Sequence, residues 1–134
     1  MSTAKEQGWR QLPVATLAYL GDAVFELYVR HYLISRGEAA VDRLHRLAVA
    51  VVQAKAQARI LRALQGVFSE EEREVARRGR NAHLPLPRGV RAQEYRHSTA
   101  WEAVVGYLYL TGQQERLEEL LQRAVQIGLE SEEG

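Results

Sequence analysis

Apolar residues recur every three to four positions along nearly the whole chain, the period of helices packed on one side. Pro13 suits the first turn of a helix with apolar positions Leu17, Leu20, Val24 and Leu27, running to Ile34 with Gly37 as its stop. Asp42 is the expected N-cap of a long second helix. Its apolar face holds Leu44, Leu47, Ala48, Val51, Val52, Ala58 and Leu61, and Gly66 ends it. Ser69, followed three residues later by Glu72, has the form of a capping box and predicts a short charged helix closing near Gly79. Residues Arg80 to Gln93, interrupted by Pro85, Pro87 and Gly89, form the one long irregular stretch, and loops of that length usually have a function or are disordered. A hydrophobic helix follows from about Ser98 to Leu110, broken by Thr111-Gly112. A last amphipathic helix carries Leu117, Leu120, Leu121, Ala124 and Val125. No strand, repeat or interdomain linker is visible. The pattern predicts one all-α domain over residues 1–134, with a core at about 12–122 and a mobile polar N-terminus and acidic C-terminal tail.

Two carboxylates interrupt this apolar pattern. Asp22 lies within Leu17-Ala-Tyr-Leu-Gly-Asp-Ala-Val-Phe-Glu-Leu-Tyr28, and Glu102 within Ser98-Thr-Ala-Trp-Glu-Ala-Val-Val-Gly-Tyr-Leu-Tyr-Leu110. Both are expected to be at least partly withdrawn from water. A buried carboxylate needs a cation, a metal ion or a proton, and neither stretch contains Lys or Arg. Ala18, Asp22 and Glu26 share one helical stripe, while Ser98 and Gly106 flank Glu102 on its four-residue row. Small residues around both acids, with Gly21 beside Asp22, admit a second helix or a ligand at close range. Two readings stay open on these residues: the acids cap or pair with arginines from elsewhere in the fold, or they hold one or two Mg²⁺ ions through few protein ligands and several waters. Glu26 reads as a supporting residue or an ordinary ion-pair partner.

Composition narrows the chemistry. A chain of 134 residues with 46% hydrophobic and 26% charged residues is of globular type and long enough for one core. It has no cysteine, which removes disulfides and thiolate metal sites and fits an intracellular protein. No apolar run approaches the ~20 residues needed to span a bilayer, so a soluble cytoplasmic protein without membrane contact is expected. His31, His45, His83 and His97 have no metal-ligand spacing, and there is neither a glycine-rich phosphate loop nor a Ser or Cys nucleophile context. Glu70, Glu71 and Glu72 read as a solvated first turn, where acids favour the helix dipole.

Charge is unevenly placed beneath a net of +1. From Arg77 to His97 six arginines (Arg77, Arg78, Arg80, Arg88, Arg91, Arg96) face one acid, Glu94, a net of +5. From Glu115 to Gly134 six glutamates face Arg116 and Arg123, a net of −4. Arginine beside an acidic metal site is what a nuclease needs, cations for backbone phosphates and carboxylates for the metal at the scissile one. His97 borders this loop and is a further candidate RNA contact. With Tyr95 its only ring, the loop favours shape recognition of a duplex over base stacking on a single strand.

Leu20-Gly21-Asp22-Ala23-Val24 and Glu102-Ala-Val-Val-Gly-Tyr-Leu-Tyr109 resemble the two halves of the ribonuclease III catalytic motif. Gln53-Ala-Lys-Ala-Gln-Ala58, Arg77-Arg-Gly-Arg-Asn-Ala82 and Tyr95-Arg-His-Ser-Thr99 are further matches, and the likeness covers roughly residues 12 to 122. The chain is similar to the short form of that family, Mini-ribonuclease III, which lacks a double-stranded-RNA-binding domain. The resemblance implies an all-helical homodimer that cuts double-stranded RNA with Mg²⁺, or Mn²⁺ as substitute, leaving 5′-phosphate and 3′-hydroxyl ends. It further implies maturation of the large-subunit (23S) ribosomal RNA precursor, with a ribosomal protein as a candidate partner. It places Asp22 and Glu102 on the catalytic, metal-binding acids, with Glu26 and Thr99 as candidate supports. Ala18 and Thr99 stand where the full-length enzymes carry Glu and Asp, which thins the ligand set. The rival class is a non-catalytic double-stranded-RNA-binding or ribosome-associated protein on the same scaffold. A bundle mediating only protein contacts leaves the acids without a task.

Overall fold

A computed structural model of the chain describes residues 8–133. A 3-10 turn at Trp9–Gln11 precedes six helices: α1 (Val14–Ser35), α2 (Val41–Val52), α3 (Ala54–Leu64), α4 (Glu70–Arg80), α5 (Ala92–Leu110) and α6 (Gln114–Glu133). The all-α expectation holds, and one hydrophobic core runs from Trp9 to Val125. The expected N-terminal segment is described only from residue 8 onward. Trp9 is already core, packed edge-on against Tyr107 at 4.6 Å between ring centroids, so the fold begins earlier than Leu12. At the other end, α6 continues to Glu133 through residues expected to form a tail.

Helix α5 is the axis of the fold. From Ser98 to Leu108 every residue except Glu102 is buried, and α1, α3, α4 and α6 all pack around it. A helix apolar on all sides belongs in such a centre. Its crossing with α1 is unusually close. A Cβ on Gly21 would sit 1.7 Å from the Glu102 carbonyl oxygen, and one on Gly106 would sit 1.9 Å from that of Leu17. The two glycines therefore let the helices meet backbone to backbone, and Asp22 follows directly after one of the points of contact.

Several local expectations are realised. Pro13 stands at the start of α1, and Gly37 closes it with φ of 98°. Ser69 and Glu72 form a reciprocal capping box at 3.1 and 2.8 Å, and Gly112 (φ 74°) turns the chain between α5 and α6.

The long second helix is corrected to two. The chain becomes extended at Gln53 (ψ 155°), and Ala40 rather than Asp42 occupies the cap position of α2. The burial pattern supplies the reason. Ala48 and Val51 are buried on α2, whereas α3 buries Ala56, Gln57, Ala58, Ile60, Leu61 and Leu64, too broad an arc to continue the same stripe. The break lets α2 pack on α1 while α3 turns against α5. Helix α5 begins at Ala92, six residues before the apolar run, because its first two turns are polar.

Glu72 is also corrected. It is not solvated but 2% exposed, gripped by Arg116 of α6 through Nε and Nη2, both at 2.9 Å. Arg116 also donates to the Val67 carbonyl at 2.7 Å. This pair ties the capped start of α4 to α6 and satisfies a carboxylate that would otherwise be buried alone.

The α1–α5 crossing makes a direct prediction. Ala is the better helix former by about 1 kcal/mol, yet Gly106→Ala is expected to destabilise the protein by about 3 kcal/mol, since the added carbon strikes rigid backbone. Gly66→Ala, where nothing lies within 4 Å of the new carbon, should be near neutral. Urea unfolding of both variants checks the contrast, and equal midpoints would mean that the crossing yields freely.

Candidate active site

The crossing of α1 and α5 brings Asp22 and Glu102 side by side. They differ in setting. Glu102 is half-buried and points out of an otherwise sealed helix, whereas Asp22 is exposed, against the expectation that both are withdrawn from water. Helix α1 presents Asp22 as an exposed residue directly after Gly21, while Glu102 stands half-buried on the central helix, its backbone carbonyl against Gly21. Burial first, and then the neighbouring Asp22 carboxylate, push the Glu102 carboxyl up to about 8. The hydrogen bond from Gln57 Nε2 at 3.2 Å works in the opposite direction.

Among the described residues, neither acid takes part in an ion pair with Lys, Arg or His. The reading in which distant arginines neutralise them therefore finds no support. Nor do the described residues bring three metal-ligating side chains together. With Ala18 buried one turn before Asp22 and Thr99 one turn before Glu102, two carboxylates are the anionic set that the described residues bring here. That set fits a small, hard cation such as Mg²⁺, which keeps several waters and takes only one or two carboxylates. The exposed side at Asp22 leaves room for those waters and for a phosphate.

The remaining candidates divide. Glu26 pairs with Arg30 at 2.6 Å along the surface of α1, the ordinary ion-pair role. Thr99 is buried and donates its only hydroxyl proton to the Tyr95 carbonyl at 2.9 Å, so it gives no hydrogen bond to the acids. Arg77 is held by Glu74 at 2.7 Å. Arg78 donates to the Leu12 carbonyl at 2.7 Å, which fastens the N-terminal segment to α4. Arg88 and Arg91 are exposed on the loop. Arg80 and Arg96 line a cavity of about 510 Å³ beneath it, together with His83, Tyr95 and Thr99.

His97 is disfavoured as a cation. Burial first, then Arg62, Arg80 and Arg96, hold its pKa below the ordinary value, and its buried Nδ1 has no partner. Gln57 is the residue that the sequence pattern left without a role. It is 2% exposed on α3 and touches Glu102 directly. Its signal in the sequence was a lone polar residue between Ala56 and Ala58 on a helix with a wide apolar arc.

Paired acids on two crossing helices beside a basic loop are the furniture of a metal-dependent nuclease, and comparison with known proteins agrees. A family model described as ribonuclease III domain matches residues 15–113. The chain belongs to the ribonuclease III family and, within it, to the Mini-ribonuclease group. It is 54% identical to a Mini-ribonuclease 3 of Symbiobacterium thermophilum over 114 residues, covering 84% of this chain and 88% of that protein. A Thermoanaerobacter Mini-ribonuclease 3 is 42% identical, with 91% and 87% of the two chains covered. A crystal structure of a Fusobacterium nucleatum protein superposes with a TM-score of 0.81 at 30% identity, covering 88% of this chain and 97% of that one. The chain is accordingly an endoribonuclease, of a family that acts on double-stranded RNA and is generally dependent on divalent metal.

The raised Glu102 pKa has a measurable consequence for stability. The folded protein holds this proton up to about pH 8, whereas an unfolded chain releases it near 4.5. Stability from this group is thus fully present below about 4.5 and is lost as pH rises through about 8. In EDTA, the wild-type melting temperature should fall between pH 5 and pH 8 more steeply than that of Glu102→Gln. Parallel curves would show that Glu102 ionises normally.

Proposed function

We propose that this protein is a Mg²⁺-dependent endonuclease of double-stranded RNA, acting as a homodimer in the cytoplasm on the large-subunit (23S) ribosomal RNA precursor. The observation that carries this reading is the Asp22–Glu102 pair itself, two adjacent carboxylates with no cationic side chain between them. A divalent metal bound there would supply positive charge at the scissile phosphate and lower the pKa of an attacking water. Glu102, fixed on the central helix, anchors one side of that position, and the exposed Asp22 closes the other. Arg88, Arg91, Arg80 and Arg96 meet the phosphate backbone, which favours a duplex of any sequence and sets affinity by salt. Mn²⁺ has the same preference for oxygen ligands and is expected to substitute. A ribosomal protein on the precursor is the partner that would present the substrate.

Asp22→Asn and Glu102→Gln are each expected to abolish cleavage at saturating Mg²⁺ while leaving the fold and duplex binding nearly intact. The double variant should be little worse than either alone, because the acids act as a unit. Cleavage of a duplex substrate with 5′-phosphate and 3′-hydroxyl products, lost in both variants, is the measurement. Turnover by Asp22→Asn within several-fold of wild type would favour the rival, a non-catalytic RNA-binding protein.

The dimer has its own support. Tyr19 is 83% exposed and Leu27 70%, with Ala23 exposed between them, so an apolar stripe runs along the outside of α1. Ile34 and Val41 extend it towards α2. The stripe lies on α1 and the start of α2 and not on α5, whose residues Trp101–Leu108 are consumed by the core apart from Glu102. Cutting both strands of a duplex needs two centres, and a two-fold dimer supplies them from one Asp22–Glu102 pair per chain. Leu27→Glu should convert the dimer to monomers in sedimentation at micromolar concentration and abolish paired cuts. Monomeric wild-type protein that still makes paired, staggered cuts would refute the two-centre argument.

A further inference from the structure

Gln57 makes an arrangement that neither the core nor the two acids require by themselves. Its side chain is buried on α3, far from the apolar norm of its neighbours Ala56, Ala58 and Ile60. Both hydrogens of its amide are committed. Nε2 donates to the Val52 carbonyl at 2.6 Å and to Glu102 Oε2 at 3.2 Å. The Val52 carbonyl is available because the chain turns extended at Gln53, so the regular helical bond that would have used it is missing. The break between α2 and α3 thus creates the acceptor that aims the amide.

The amide can lie only one way round. Turned over, its oxygen would lie against the Val52 carbonyl, acceptor against acceptor at 2.6 Å, with no donor between them. In the observed orientation Gln57 Oε1 is buried without a partner, a cost accepted at this one position. An unsatisfied buried acceptor is uncommon where only packing is at stake, since Leu or Met would fill the same space without it. What the glutamine supplies that an apolar residue cannot is a fixed N–H on one oxygen of Glu102. Apart from the neighbouring Asp22 carboxyl, the described residues offer Glu102 no further hydrogen-bonding partner, so its open side is shared only with the other acid.

We propose that Gln57 is a positioning residue for Glu102: clamped to the Val52 carbonyl at the α2–α3 break, its amide holds one carboxylate oxygen and leaves the other free for the metal. The proposal rests on the reading of Glu102 as a metal ligand. A carboxylate on a long side chain loses rotamer freedom when it binds a cation, and a neighbour that has already fixed it removes part of that loss. The effect should be confined to the metal step, because Gln57 is buried and offers nothing to RNA.

Gln57→Leu keeps the volume and removes the donor, and Gln57→Asn keeps an amide that is one methylene too short to reach. Each is compared with wild type and with Glu102→Gln in two measurements: Mn²⁺ affinity of the RNA-free protein by electron paramagnetic resonance, and Mg²⁺ half-saturation of duplex cleavage alongside KM for the duplex. The expected result is a Mn²⁺ affinity weakened by about 10-fold or more, with a matching rise in Mg²⁺ half-saturation, because partners of metal ligands typically carry about 10–100-fold. KM for RNA at saturating Mg²⁺ should stay within two-fold, and Gln57→Leu should add nothing in the Glu102→Gln background. Metal affinity unchanged in both variants, with only a lower melting temperature, would make Gln57 a closure of the helix break and overturn the proposal. Should Glu102→Gln itself leave Mn²⁺ affinity unchanged, the metal-ligand reading falls first and the positioning role falls with it.

Discussion

The arrangement depends on two helices meeting without side chains between them. Ordinary helix pairs keep their axes about 8–10 Å apart because side chains fill the space. At Gly21 and Gly106 that filling is absent, and each glycine lies against the carbonyl of the facing helix. The contact sets where α1 runs relative to α5, and therefore where Asp22 stands relative to Glu102. A bulkier residue at either position would separate the acids as well as the helices. Stability and chemistry are thus constrained by the same few atoms, which is why the apolar stretch around each acid contains a glycine that a helix would otherwise avoid.

The difference in burial between the two acids also has a function. If both were exposed, water would screen them and each would ionise independently. If both were sealed in, the site would be neutral and closed. Here Glu102 is held in a setting that raises its pKa to about 8, while Asp22 faces water. On the proposed reading, a divalent ion bound here would displace that proton, and metal binding would strengthen as pH rises. Gln57 moderates this balance from the buried side, donating to the carboxylate that burial disfavours.

Much of this was legible along the chain because local chemistry marked it. Pro13, Gly37, Gly112 and the Ser69–Glu72 box each state a helix boundary in residues whose backbone preference is strong. Asp22 and Glu102 stood out as acids in apolar runs. What stayed hidden was set by tertiary partners. Nothing at Gln53 announces a break, since neither Pro nor Gly is there, and the division appears only when α3 must face α5. Glu72 looked solvated among three glutamates because its partner, Arg116, lies 44 positions away. Arg78 read as one of six equivalent cations, yet it is spent on the Leu12 carbonyl. The polar first turns of α5 hid its start for a similar reason: periodicity reports burial, and a helix that projects from the core shows none.

Helix α1 carries three obligations on three of its faces, and their spacing links assembly to the site. Gly21 meets α5, Asp22 faces the open side, and Ala23 lies on the exposed stripe with Tyr19 and Leu27. Successive residues on a helix point about 100° apart, so these three consecutive positions face three different sides of it. A second copy seated on the Tyr19–Leu27 stripe would stand beside Asp22 without covering it. Such a neighbour would lower the water content around the exposed acid while leaving the α4–α5 loop open. Asp22 would then approach the setting that Glu102 already has, and the pair would hold a cation more firmly in the dimer than in a single chain. If the proposed dimer forms in this geometry, it would act on the proposed metal site through solvent exclusion at one carboxylate, as well as by bringing two centres to one duplex.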